Sequence, residues 1–199
     1  MNNQSQNAID IVLAESLKEL AVTKPIDKIT IKEITDKAGV IRPTFYNHFQ
    51  DKYELLEWIV QDELIRPLRE LILDGMFKEG VIRALKNMQK EKGFYTSAAK
   101  LEGQNSFPEI LKSEISKLLM DQVCVESVNA EIPYNWLTPK RVADSYAEFM
   151  DFIIVDWVKD GMAIPAEELV DTVLFLLSQC IQCYQKLINR RTSARSYSN

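Results

Sequence analysis

Thr30, Glu33 and Gly39 confine a short helix between two marked ends, and that constraint dictates how the first quarter of the chain can fold. Threonine followed three residues later by glutamate is a capping box, in which each side chain satisfies an orphan amide at a helix start. Ile31, Ile34 and Ala38 recur at three- and four-residue spacing, the stripe by which a helix packs on a core. Gly39 ends the element, because glycine enters the left-handed backbone region without steric cost. After Val40 the pattern restarts as a second helix anchored by Phe45 and Phe49, one turn apart. Its opposite face carries Arg42, Pro43, Thr44, Tyr46, Asn47, His48 and Gln50, with no carboxylate among them. Such a face suits a phosphate-lined groove, and glycine-linked helix pairs of this size place the second helix in the major groove.

The net charge of -5 argues on its face against a nucleic-acid partner, since phosphate neutralisation dominates such binding. Distribution decides the matter: from Lys24 to Lys52 there are six basic residues against four acidic ones. This modest excess predicts salt-sensitive binding that needs two heads for useful affinity. A chain of 199 residues with 46% hydrophobic and 27% charged residues has the composition of a soluble globular protein, and its six glycines favour helices over a sheet. The amino terminus lacks a basic region followed by an apolar run, and no stretch approaches a membrane span. These features predict a cytoplasmic protein without a membrane partner. Cys124, Cys180 and Cys183 fit no disulfide framework. The Cys180-x-x-Cys183 pair sits in a helical pattern and reads as packing, so neither a metal nor another cofactor is expected.

Taken in order, Ala8 to Val22 reads as a first helix, with Ile9, Val12, Leu13, Leu17 and Leu20 on one face and Lys24-Pro25 as its stop. Asp51 caps a fourth helix whose stripe is Tyr53, Leu56, Ile59 and Val60, and this helix links head to body. Pro67 removes an amide donor and clashes with the preceding turn, so a kink or break is expected near Arg66. Further helices follow over Val81–Lys92, Phe94–Glu102 and Phe107–Asn129, separated by Gly80, Gly93 and a turn at 103–106, with a loop over Ala130–Leu137. Thr138-Pro139 opens a helix that ends at Gly161, and Pro165 opens the last. The tail carries Lys186, Arg190, Arg191 and Arg195 with no acid after Asp171, and reads as a frayed, solvated end.

The head resembles the TetR family of bacterial regulators, which carries the pattern A-G-V-x-x-x-T-[LF]-Y-x-[HY]-F-x-x-K. Here it stands as Ala38-Gly39-Val40, Thr44-Phe45-Tyr46, His48-Phe49 and Lys52. One departure is Ile41, where the family often has serine; an apolar cap costs a helix about 1 kcal/mol relative to serine. The resemblance implies an all-α homodimer. Residues 1–52 would form a three-helix helix-turn-helix DNA-binding head, 53–190 a larger ligand-sensing and dimerisation body, and 191–199 a basic tail. By the family pattern Arg42, Pro43 and Tyr46 meet base edges, while Thr30, Thr44, Asn47, His48 and Lys52 hold phosphates. The partner implied is a near-palindromic double-stranded operator, read by two heads about 34–36 Å apart. The function implied is transcription regulation, as a repressor released by a small ligand in the body. Loose matches at Phe94-Tyr95, 102–106 and 156–162 resemble regulators of dihydroxyacetone kinase operons, some of which act with a protein partner, so control by a protein instead of a free ligand stays open.

In the body, Met88, Phe94, Tyr95, Tyr146, Phe149 and Trp157 are the side chains able to line a pocket between helices, although apolar helix stripes usually exist to pack, which favours plain core for each. The last two helices are apolar on two faces. Met150, Ile154, Val158, Val173, Leu177, Cys180, Ile181 and Tyr184 are therefore assigned to a four-helix dimer interface. An enzyme is not expected: the chain has no P-loop, Rossmann fingerprint or G-x-S-x-G elbow, and its lone histidine sits on the groove-facing helix. A helical adaptor that keeps the head shape but works through a partner is the remaining alternative.

Overall fold

The computed structural model describes residues 3–122 and 136–176, and among them every regular element is helical. By its contacts the chain divides into two compact units, Met1–Ala163 and Ile164–Asn199. The first unit opens with α1 (Asn3–Ala21), a 3-10 turn (Ile26–Lys28), α2 (Ile31–Ala38) and α3 (Arg42–Tyr46). It continues through α4 (Lys52–Val60), a π-helical turn (Gln61–Ile65) and α5 (Arg66–Leu73). Among its described residues follow α6 (Phe77–Lys90), α7 (Lys92–Ala98), α8 (Phe107–Gln122) and α9 (Pro139–Lys159). In the second unit, Pro165 precedes a helix described over 166–176, and Leu169 N–H donates to the Pro165 carbonyl at 3.0 Å. The three cysteines, the tail over 191–199, and Leu177, Cys180, Ile181 and Tyr184 of the expected interface lie outside the described residues.

The core of the head follows the apolar stripes. Leu13, Leu17, Ile26, Ile29, Ile34, Phe45, Leu55 and Leu56 are at most 1% exposed. Phe45 and Phe49 meet at 5.9 Å between ring centroids, and Phe49 meets Trp58 edge-on at 6.3 Å. The first helix departs from expectation. It begins before Ala8, Val12 of the expected stripe is 44% exposed, and Lys18 is 4% exposed. A lysine enters the buried face because carboxylates from elsewhere in the fold receive its ammonium.

Pro67 does not end the helix it interrupts. Its ring nitrogen has no hydrogen to give the Glu63 carbonyl four residues earlier. The chain answers with a single π turn, in which Arg66 N–H reaches back five residues to the Gln61 carbonyl. The Glu63 carbonyl then accepts from the Asn87 side-chain amide of α6 at 3.3 Å.

Two glycines expected to separate helices lie inside them. At Gly80 in α6, a Cβ would come 2.8 Å from Leu68 Cδ1 and 3.2 Å from Leu71 Cβ, so its absence lets α5 and α6 pack closely. At Gly93 in α7, a Cβ would stand 3.1 Å from Val22 Cγ2, at the end of α1. Farther on, Thr138 caps α9 by accepting from Arg141 N–H, and α8 packs along α9.

Candidate nucleic-acid interface

Thr30 accepts from Glu33 N–H at 3.2 Å, and the Glu33 carboxylate accepts from the Thr30 amide at 2.9 Å and its hydroxyl at 2.8 Å. Lys24 also donates to this carboxylate, at 2.6 Å. Chiefly through Lys24, and then through Thr30, the Glu33 pKa is pulled down to about 2, which keeps the cap charged. Gly39 leaves α2 with φ +69°, and the chain turns directly into α3. That helix is short, and Ile41 at its N-cap makes no side-chain hydrogen bond, as an apolar residue there dictates.

Its outward face is open. Ile41 is 69% and Tyr46 58% exposed, and Arg42, Pro43 and Asn47 are exposed beside them, with Thr44 half-buried. Most of the surrounding basic residues are engaged. Lys24 pairs with Glu33 at 2.6 Å, Lys32 with Asp36 at 2.6 Å, Lys37 with Glu19 at 2.5 Å and Lys28 with Asp27 at 3.2 Å. Among the described residues Arg42 alone, of the six basic side chains from Lys24 to Lys52, has neither an ion pair nor a side-chain hydrogen bond. Its five donors are therefore available to an incoming acceptor.

Three residues assigned to phosphates have other duties in the free chain. The His48 side chain is 6% exposed, and its Nδ1 lies 2.7 Å from Asp10 Oδ1 on α1, so the imidazole braces α1 against the end of the recognition segment. The Lys52 ammonium donates to the carbonyls of Asp27 and Ile29 at 2.7 and 2.8 Å, closing the end of the 3-10 turn. Burial lowers its pKa. The Thr30 hydroxyl is committed to its cap. Sequence reasoning missed Asp10 as the partner of His48, since 38 residues separate the two and no local pattern links them.

The side chains named for a pocket in the body stand in different surroundings. An apolar cavity of about 40 Å³ lies between helices, walled by Leu64, Leu68, Leu85, Met88, Leu111 and Met150 among others. Of the six residues proposed from sequence only Met88 lines it. Phe94 and Tyr95 are fully buried and stack edge-on, with centroids 4.9 Å apart, and Tyr95 meets Phe107 at 5.6 Å. Trp157 is 5% exposed, Phe149 is half-buried and Tyr146 is 52% exposed. Of the residues assigned to the interface, Val158 is 0% exposed within the chain. Met150 and Ile154 are cavity wall, while Val173 is half-buried. Phe152, unremarked in the sequence, stands 69% exposed on α9.

A capped helix pair that presents a carboxylate-free face ahead of a helical body is the geometry expected of the TetR resemblance, and family comparison decides it. Residues 15–59 match the model for bacterial regulatory proteins of the tetR family, and residues 76–179 match a transcriptional regulator C-terminal region. The chain belongs to the TetR family. Over 114 residues this TetR-family chain is 25% identical to an uncharacterized HTH-type transcriptional regulator of Mycobacterium bovis, a match covering 54% of the chain and 56% of that protein. It is 34% identical over 64 residues to the HTH-type dhaKLM operon transcriptional activator DhaS of Lactococcus lactis, covering 32% of each. The matches to the mycobacterial relatives thus span about half of their length.

Solved TetR-type folds resemble it over most of the chain. The dihydroxyacetone kinase operon activator DhaS superposes with a TM-score of 0.63 at 20% identity, covering 88% of this chain and 97% of that one. NalD, the secondary repressor of a multidrug efflux pump in Pseudomonas aeruginosa, gives 0.60 at 16% identity, covering 87% and 96%. Among the described residues of this TetR-family chain, no helix is long and apolar enough to cross a membrane.

Proposed function

We propose that the chain is a sequence-reading transcription regulator. It acts as a homodimer on a near-palindromic double-stranded operator, as a repressor released when a small ligand binds in the carboxy-terminal region. The observation that carries this reading is the exposed Arg42, Pro43 and Tyr46 face, with Arg42 unpaired, on a helix held from behind by Asp10–His48. Arg42 would grip guanine O6 and N7 with two hydrogen bonds, and Pro43 and the Tyr46 ring would press on a thymine methyl. Thr44 and Asn47 would position the head on phosphates. Thr30, His48 and Lys52 would reach phosphate only by sharing groups already engaged within the head. Such a partner implies a cytoplasmic location. Tyr146 and Phe152, exposed on α9, are proposed parts of the dimer contact.

The test is selection of bound duplexes from a random pool at fixed salt, with Tyr46→Ala as control. The expected result is a two-half-site motif that the variant loses. Arg42→Ala should relax one base position at a cost of about 1–3 kcal/mol. Absence of any enriched motif with the native chain sinks the reading.

One observation favours a second reading, control by a protein partner. Among the described residues an apolar cavity of about 40 Å³ lies between the body helices. Leu73, Met76 and Phe77, at the α5–α6 corner beside that cavity, are 70%, 40% and 41% exposed. Motif enrichment only after a co-purifying protein is added would favour this reading.

A further inference from the structure

Among the described residues the most buried charged side chain is not part of the DNA-facing surface. Lys18 lies on α1 with its side chain 5% exposed, and its ammonium is 2.7 Å from Glu15 Oε1, 2.7 Å from Glu63 Oε1 and 3.6 Å from Glu91 Oε1. The second oxygen of Glu63, Oε2, accepts from the Tyr95 hydroxyl at 3.0 Å, and Tyr95 is 0% exposed. Glu63 therefore reaches a head helix with one oxygen and body helix α7 with the other. Its backbone carbonyl, freed by Pro67, is held by Asn87 of α6. Gly93 adds a close approach of α7 to Val22 at the end of α1. Four elements meet at one residue, and α1 in turn packs on α2, the first helix of the DNA-binding pair.

A well-packed apolar contact would hold these elements at least as firmly, because burying charge carries a desolvation cost that its pairing does not reliably repay. What the charged contact adds is intolerance of sliding. Apolar surfaces can shift against one another and remain apolar, but a shift of α7 or the π turn past α1 strands a buried ammonium or carboxylate without its partner. Burial works against the charge on Lys18, yet its hydrogen bonds to Glu15 and Glu63 outweigh that and raise its pKa. Burial, and then Glu63, raises the Tyr95 pKa well above 10. Both groups thus keep one protonation state across the physiological range, which makes this a geometric constraint, not a proton switch.

We propose that Lys18, Glu63 and Tyr95 are positioning residues for DNA reading: they fix the orientation of the head on the body and so set the separation at which the two heads of a dimer meet their half-sites. This inference rests on the reading of the chain as an operator-binding dimer. Lys18 touches no DNA in it, and the contribution of the cluster is felt only when two half-sites must be engaged together.

The experiment takes the motif selected by the native chain and measures binding to duplexes whose half-sites are moved one or two base pairs closer or farther apart, together with a single half-site duplex. The native chain should show a sharp spacing optimum. Lys18→Met and Tyr95→Phe should bind the optimum about tenfold more weakly, the scale of a coupling between distant sites. Their spacing profiles should broaden, and their single half-site affinity should not change. Lys18→Met/Glu63→Met/Tyr95→Phe, which removes the buried ammonium, carboxylate and hydroxyl together and leaves an apolar contact, should keep the broadened profile; this variant guards against loss of fold in the single substitutions. Folded variants with the native spacing profile overturn the proposal. A native chain that enriches no motif overturns the DNA reading, and the proposal falls with it.

Discussion

Asp151 shows how one residue in the body carries a cost that pH exposes. Its Oδ1 is buried without a hydrogen-bond partner, and burial, partly opposed by the Lys112 charge, raises its pKa from the usual 3.8 to about 6. The folded chain therefore holds this proton more tightly than the unfolded chain does. Its stabilising contribution is complete below about pH 4 and is lost as pH rises through 6. Asp151→Asn should raise the melting temperature near neutral pH and flatten the stability profile between pH 4 and 6. Thermal unfolding across that range checks it, and identical slopes for the two chains would discount the assignment. At the same scale the sequence made Thr30, Glu33, Gly39 and Asp51 legible, because each acts on its own neighbours: a cap bonds to amides within three residues. Lys18, Asp10 and Lys52 were not legible in their observed roles. Their partners lie 45, 38 and 25 residues away, and no local pattern encodes such distances.

At the scale of elements, glycines inside helices separate two physical demands that look alike in a sequence. Gly39 has open space around its missing Cβ but a φ of +69°, so the backbone conformation requires glycine there. Gly80 has ordinary helical backbone, and instead a Cβ would collide with Leu68 and crowd Leu71. Gly80→Ala should consequently destabilise the chain despite alanine being the better helix former. Overpacking costs about 1–3 kcal/mol and the propensity gain returns about 1 kcal/mol, leaving a net loss of about 1 kcal/mol. A denaturant midpoint that rises in the variant would show that α5 and α6 can yield. Pro67 teaches a related lesson: the sequence correctly marks where a donor is missing, but whether the helix breaks or absorbs the defect depends on Asn87, which stands ready on another helix to satisfy the orphaned carbonyl.

For the whole molecule, the proposed dimer makes stability depend on concentration. A chain whose body helices are completed by a second copy should melt at a higher temperature as protein concentration rises over about a hundredfold range, since association favours the folded state by mass action. Calorimetry with Phe152→Glu as comparison checks this: the variant should lose the dependence, and a native melting temperature independent of concentration would remove the dimer from the reading. By itself the sequence determined the helical class, the capped helix pair with its carboxylate-free face, and membership of the TetR family, because these rest on periodicity, caps and a contiguous motif whose physics is local. Only the tertiary structure decided which aromatic residues are core, which side chains wall the apolar cavity, that His48 and Lys52 brace the head, and that Lys18 is buried. Each of those depends on which distant side chains arrive within a few ångströms, and burial and pairing are properties of the packed chain rather than of any segment of it.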